Sequence, residues 1–213
     1  MRITEHELAK RKKRIIDTAY ELFCTQGIDA TSLLQIAKES SVSLDSLYHY
    51  FASKATLVQH TQTVLWKRIL EYTLANCSER IAAAQSGLEE VEILLYNFRG
   101  FYADHKPYLL FYCEYITYMY RNHILLPQDN YQELITPIYK VFTKALARGY
   151  ADGSISKAQS MQAQFFATWG VLRCYVEQMA TYDKINSGEN PWEQQFDLVL
   201  RNTISILINT KQS

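Results

Sequence analysis

A chain of 213 residues is long enough for one large domain or two small ones, which excludes a disulfide-stapled miniprotein. With 48% hydrophobic and 21% charged residues it is neither disordered nor fibrous, and 7 Gly and 4 Pro are too few for a many-turned all-β fold, so an all-α fold is expected. Lys plus Arg (22) cancels Asp plus Glu (22), which removes any argument from overall charge for a nucleic-acid or membrane partner.

The balance hides a local asymmetry. Arg2, Lys10, Arg11, Lys12, Lys13 and Arg14 face only Glu5 and Glu7 within the first fourteen residues. This cluster either approaches a nucleic-acid backbone, as an arm or a helix face, or is a solvated helix start. Apolar Ile15, Ala19, Leu22 and Phe23 then repeat at helical spacing, and Gly27 is placed to end a helix of roughly residues 5 to 26. A second, short helix starts at Ser32, with Gln35 as the partner of a capping box, and carries Leu33, Ile36 and Ala37 to about Ser40. The Ser40-Ser41-Val42-Ser43 stretch reads as a turn with Val42 plugging the angle, and Ser43 caps a third helix of residues 44 to 51. Short helices joined by a four-residue turn make a helix-turn-helix arrangement. On the third helix Leu47 and Phe51 are expected to face inward onto Val42, Ile36 and Phe23, leaving Leu44, Asp45, Tyr48 and His49 outward.

From Lys54 the segments lengthen to helices of about 17 to 25 residues, with breaks at Ser86-Gly87, His105-Lys106-Pro107, Leu126-Pro127, Gly149 to Gly153 and Asn186 to Pro191. Pro137 either kinks its helix or begins it with Thr136 as the cap. Cys24, Cys77, Cys113 and Cys174 lack the spacing of a metal or redox site and read as reduced thiols. No apolar leader follows Met1 and no stretch suits a bilayer, so a cytoplasmic protein with no membrane partner is expected. Beyond residue 60 there is no GxGxxG, Walker loop, HExxH or GxSxG, and His60, His105 and His123 are scattered. No catalytic residue, metal site or cofactor is therefore expected.

The run from Lys10 to Val58 closely resembles the DNA-binding domain of TetR-type transcriptional regulators. The resemblance is carried by Ile16, Ala19, Leu22, Phe23, Gly27, Thr31, Ile36, Ala37, Val42, Ser43, Leu47, Tyr48, Tyr50, Phe51, Lys54 and Leu57. It covers about a quarter of the chain, and GYADGSIS at 149 to 156 resembles a turn between two long helices of the family's regulatory part. The resemblance implies a helix-turn-helix domain at residues 1–53, with the motif at about 32–51, and a helical regulatory, ligand-binding and dimerisation domain at 54–213. It implies DNA contacts from Ser43, Ser46, Tyr48 and His49, a major-groove face at Leu44 and Asp45, and a phosphate contact from Lys54; Ser32 at the start of the second helix joins this set. A hydroxyl, an imidazole and an ammonium on one surface suit a phosphate clamp. The chain departs from the family where Ser41 replaces a common Gly, where Leu44 and Asp45 replace Lys and Gly, and where Leu33 and Leu34 replace polar residues.

The middle of the chain is loaded with aromatics, from Tyr96, Phe98, Phe101 and Tyr102 to Tyr108, Phe111, Tyr112, Tyr115, Tyr118 and Tyr120. Each buried hydroxyl needs a partner, so the excess of Tyr suggests a lined pocket or, alternatively, core and interface packing. Tyr96, Arg99, Tyr112, Glu114, Tyr115, Tyr118, Met119, Trp169 and Arg173 are the candidate ligand residues. Glu114 either meets a cationic ligand or pairs with Arg99, Arg121 or Arg173. The last two helices, about 157 to 183 and 192 to 210, carry Phe165, Phe166, Trp169, Leu172 and Val176, then Phe196, Val199, Leu200, Ile204 and Leu207. These stripes are more apolar than one buried face requires, and in the family such helices pair across a two-fold axis. The expected protein is a homodimeric repressor released from a palindromic double-stranded DNA operator by a small-molecule effector. The alternative is a DNA-binding regulator without a small ligand, controlled by a protein partner.

Overall fold

The structure, a computed structural model, describes residues 4–124, 128–157 and 159–208, with the side chains of 128–135 and 184 outside that description. The described residues form eight helices and no strand: α1 (Glu5–Gln26), α2 (Leu33–Glu39), α3 (Leu44–Tyr50), α4 (Lys54–Ala83), α5 (Gly87–Arg121), α6 (Gln128–Asp152), α7 (Met161–Ile185) and α8 (Pro191–Leu207). The all-α fold is thus as expected. Arg2, the break at Leu126-Pro127 and the last two residues of the expected final helix lie outside the described residues. The chain divides into two compact units, Met1–Arg68 with Leu110–Tyr131 and Ile69–Leu109 with Gln132–Ser213, so α4 and α5 each contribute to both.

In the first unit, Thr4 caps α1 through a complete capping box with Glu7. A box was expected one helix later, at Ser32 and Gln35, and there only half of it forms. The Ser32 hydroxyl accepts from the Gln35 N–H at 3.1 Å, but the Gln35 carboxamide donates to Gln26 and Glu39 instead, because two side-chain acceptors lie within its reach. The basic residues 10 to 14 sit inside α1, so they form a helix face and not an extended arm. Ile15, Ala19, Phe23, Ile36, Leu47 and Phe51 are buried together with the second half of α5. Phe111 meets Tyr20 edge-on at 5.0 Å and stacks with Phe23 at 6.3 Å, and Trp66 meets Tyr112 edge-on at 6.2 Å. Val42 is only half-buried, while Ser41 beside it takes a positive φ of 54°. A side chain in that left-handed region costs about 1 kcal/mol relative to Gly.

α4 and α5, which enter both units, run to 30 and 35 residues, longer than expected. The break at His105-Lys106-Pro107 is a kink inside α5, confined to His105 (φ −136°, ψ 34°), because Pro107 removes one N–H and crowds the preceding turn without stopping the helix. Pro137 lies inside α6 and does not begin it, so Thr136 is not a cap. Gly87 and Gly149 let α5 and α6 touch: a Cβ on Gly87 would stand 1.9 Å from the Gly149 nitrogen. The 149 to 156 turn then caps α5, with Asp152 Oδ2 accepting from the Gly87 N–H at 2.7 Å and Ser154 Oγ from the Leu88 N–H at 3.1 Å. Hydrogen bonds to its carboxylate from Ser154, whose N–H donates to Asp152 Oδ1 at 2.9 Å, and from the Gly87 N–H hold the Asp152 carboxyl below its ordinary pKa. α8 packs on α7 through Tyr175, which stacks on Phe196 at 5.6 Å and donates to the Trp192 carbonyl at 2.8 Å. At the foot of α7, Asp183 accepts from Tyr102, Lys106 and Asn190 at 2.7, 2.6 and 2.7 Å. Burial pushes the Asp183 carboxyl up, but these three bonds outweigh it and its pKa lies below the ordinary value.

Candidate nucleic-acid interface and effector cavity

α3 owes its exposure pattern to its spacing. Leu47 is fully buried, as is Phe51 one turn on, and this pins the opposite face outward. Ser43, the N-cap, accepts from the Ser46 N–H at 3.1 Å, and its hydroxyl donates to Ser46 Oγ at 2.9 Å. Asp45, Tyr48 and His49 are exposed, Tyr48 by 49%, and Leu44 and Ser46 are half-buried. Six of the eight candidate DNA residues thus share one short helix and its cap. Lys54, at the start of α4, is half-buried and directs Nζ to the Asp29 carbonyl at 3.4 Å; partial burial lowers its pKa, against the opposing pull of Asp29. Ser32 is exposed at the cap of α2, where Leu34 is also exposed, by 65%. On α1, Lys10, Arg11, Lys13 and Arg14 line a shallow surface groove with Glu7, Asp17 and Thr18, while Lys12 lies over the Phe51 ring at 5.7 Å. Lys13 is paired with Asp17.

The candidate ligand residues do not come together. Tyr112, Tyr115, Tyr118 and Met119 are buried in the first unit, where the Tyr115 hydroxyl donates to Gln62 Oε1 at 2.9 Å. Burial raises the Tyr115 pKa to about 12. Glu114 belongs to the same unit: its carboxylate accepts from the Ile28 N–H at 3.0 Å just beyond α1, and Arg121 pairs with Asp29 at 3.1 Å beside it. Tyr96 is exposed, Arg99 pairs with Asp197 at 2.6 Å, and Arg173 pairs with Glu177.

A cavity of about 40 Å³ opens in the second unit instead, and of the nine candidates only Trp169 lines it. Its wall is Ile69 and Thr73 of α4, Leu94, Leu95, Asn97, Phe98 and Phe101 of α5, Ile138 and Phe142 of α6, and Phe165, Thr168, Trp169 and Leu172 of α7. Trp169 meets Phe98 edge-on at 5.4 Å and stacks with Phe165 at 6.3 Å. The sequence held a signal for this wall. Asn97 and Phe101 fall four residues apart on the face that carries Leu94 and Phe98, so a buried amide stands in an otherwise apolar stripe.

An all-helical body carrying an N-terminal helix-turn-helix with an outward-facing second helix is the class of a DNA-binding protein. Residues 15–61 match the family model "Bacterial regulatory proteins, tetR family". The N-terminal part is thus similar to the DNA-binding domain of that family, and the chain shares the fold of solved TetR-family regulators. The HTH-type transcriptional regulator YuxN of Bacillus subtilis is 41% identical over 51 residues, 24% of this chain and 18% of that protein. The HTH-type transcriptional repressor KstR2 of Mycolicibacterium smegmatis is 24% identical over 153 residues, 71% of this chain and 70% of that protein. The regulator FadR of Bacillus subtilis, solved in complex with stearoyl-CoA, superposes with a TM-score of 0.67 at 16% identity, covering 92% of this chain and 98% of that one. The chain spans about a fifth to a quarter of the length of the first two curated relatives it matches. Among the described residues no group of three or more His, Cys, Asp or Glu side chains could hold a metal ion, and no helix is long and apolar enough to cross a membrane.

Proposed function

We propose that this protein is a homodimeric transcriptional repressor that residues 1–53 dock on a palindromic operator and that a small molecule entering the cavity of the second unit releases. The observation that carries the DNA-binding part is the α3 surface, where Asp45, Tyr48 and His49 point outward because Leu47 and Phe51 are fixed inward. Tyr48, His49, Ser43 and Lys54 would hold phosphates, and Leu44 and Asp45 would meet base edges, where Leu44 suits a thymine methyl and Asp45 a cytosine amino group. The basic face of α1 adds sequence-independent attraction. Residues 54–213 would serve regulation and dimerisation.

Pairing through α7 and α8 is supported by exposed apolar side chains on both: Phe166 and Val171 on the first, Leu198 and Ile206, the last 78% exposed, on the second. Two recognition helices set by a two-fold axis read two half-sites about one or more DNA turns apart. The FadR–stearoyl-CoA complex supports effector binding in a body of this fold. Effector and operator would then oppose each other by linkage. One observation favours the second reading, regulation by a protein partner. The cavity of about 40 Å³ is far below the ~300 to 1,000 Å³ of usual ligand sites, so a small-molecule effector must displace side chains to enter.

Selection of sites from random DNA, with salt dependence, tests the proposal on wild type and a Tyr48→Phe plus Lys54→Ala double variant. An enriched palindrome whose binding falls steeply with salt, and falls further in the variant, is the expected result. A folded dimer that enriches no sequence at low salt sinks the DNA-binding reading.

A further inference from the structure

The wall of the second-unit cavity has a chemistry that narrows what it can hold. None of its thirteen described residues is charged. Three cations of α5 and α7 in the same unit are engaged elsewhere: Arg99 with Asp197, Lys106 with Asp183, Arg173 with Glu177. Most of the wall is aromatic or aliphatic. The polar exceptions, besides the Trp169 indole, are Thr73, Asn97 and Thr168, each under a tenth exposed.

These three are not equivalent. Thr73 donates its hydroxyl to the Ile69 carbonyl at 2.8 Å and accepts from Asn97 Nδ2 at 3.3 Å. That is the one hydrogen bond the Asn97 carboxamide makes among the described residues, although such a group can donate two and accept two. A buried amide with capacity to spare on a cavity wall is suited to one polar group of a guest.

We infer that the effector is an uncharged, largely aromatic or aliphatic molecule with one or two hydrogen-bonding groups, oriented by Asn97 in a wall without charge. This rests on the reading of that cavity as the effector site. A carboxylate, phosphate or ammonium brought into the cavity would lose its hydration and find no opposite charge, which weakens binding by about a hundred-fold or more relative to a neutral molecule of the same shape. The acidic head of an acyl-CoA is disfavoured for the same reason.

The test uses the full-length protein and probes of one shape: naphthalene, 2-naphthol, 2-naphthoate and 2-naphthylmethylammonium, with lauroyl-CoA alongside. Binding is followed by calorimetry and tryptophan fluorescence on wild type, Asn97→Leu and the cavity-filling Leu94→Trp, each checked for native helicity. The expected result is that 2-naphthol binds about a hundred-fold tighter than both charged isosteres and than lauroyl-CoA. Asn97→Leu weakens 2-naphthol about ten-fold while leaving naphthalene unchanged, and Leu94→Trp abolishes both. If a charged probe binds as tightly as 2-naphthol and Leu94→Trp removes it, the ligand class is overturned while the cavity stands. If no probe binds folded wild type, or Leu94→Trp leaves binding intact, the cavity reading falls and the class falls with it. A folded Asn97→Leu that binds 2-naphthol like wild type overturns the assigned role of the amide.

Discussion

The two ends of α5 use the same residue types to opposite effect. Beyond the kink, Phe111, Tyr112 and Tyr115 are locked: rings meet Tyr20, Phe23 and Trp66, and the Tyr115 hydroxyl has Gln62. Before it, Leu94, Phe98 and Phe101 leave a void, and the polar residue among them is an amide with bonding capacity left over. Aromatic richness alone therefore does not mark a binding site. What distinguishes the two ends is whether the rings close on one another, since Gln62 Nε2 in the closed end is also buried without a hydrogen bond among the described residues.

The sharpest test of that contrast is a pair of truncations. Phe111→Ala removes a ring from a closed core and is expected to cost about 4 kcal/mol, with faster amide exchange throughout α1 to α3. Phe98→Ala enlarges a space that already exists, so equilibrium denaturation should show a smaller loss; equal losses would erase the distinction between the two ends. Gly87→Ala comes next. Its Cβ would collide with the α6 backbone, and forcing the two helices apart should cost about 3 kcal/mol, seen as loss of exchange protection at the start of α5 with α1 to α3 unaffected. Uniform loss of protection would mean that the two units unfold as one. Ser41→Gly relieves the positive φ in the turn before α3 and should raise stability by about 1 kcal/mol, read as a higher melting temperature. The smallest effect is in acid. Because the Asp183 pKa is lowered on folding, its contribution is complete above the ordinary value of 3.8 and is lost as pH falls through the folded one. Wild type should therefore lose stability faster than Asp183→Asn as pH drops below about 4, and parallel curves would show that the three bonds to Asp183 carry no pH dependence.

How far the sequence reached varied with the range of the interactions involved. α1 to α3 were legible almost to the residue, since Ser43, Gly27 and the spacing of Ile36, Leu47 and Phe51 act within a few positions of one another. The turn at Ser41 was also visible as a departure from Gly, and the positive φ is what that departure means. Glu114 was not legible. Its partner, the Ile28 N–H, lies 86 residues away, and no pattern in the local sequence distinguishes a carboxylate that caps a distant loop from one that awaits a cation. The cavity was missed for a related reason: its wall draws on four helices, and only the Asn97 stripe leaves a local trace. His105-Lys106-Pro107 signalled a disturbance correctly, but whether a helix stops or bends there depends on the packing that continues past it.

The cap on α5 sets an order of events during synthesis. The first turn of α5 has backbone donors that its own helix cannot satisfy, and two of them, at Gly87 and Leu88, wait for Asp152 and Ser154, some 65 residues later in the chain. α1 to α3, whose partners in the first unit, Phe111 and Glu114 among them, all precede Asp152 in the chain, can form while those residues are still unmade. A chain that ends before Asp152 would thus hold a finished helix-turn-helix while the start of α5 still frays.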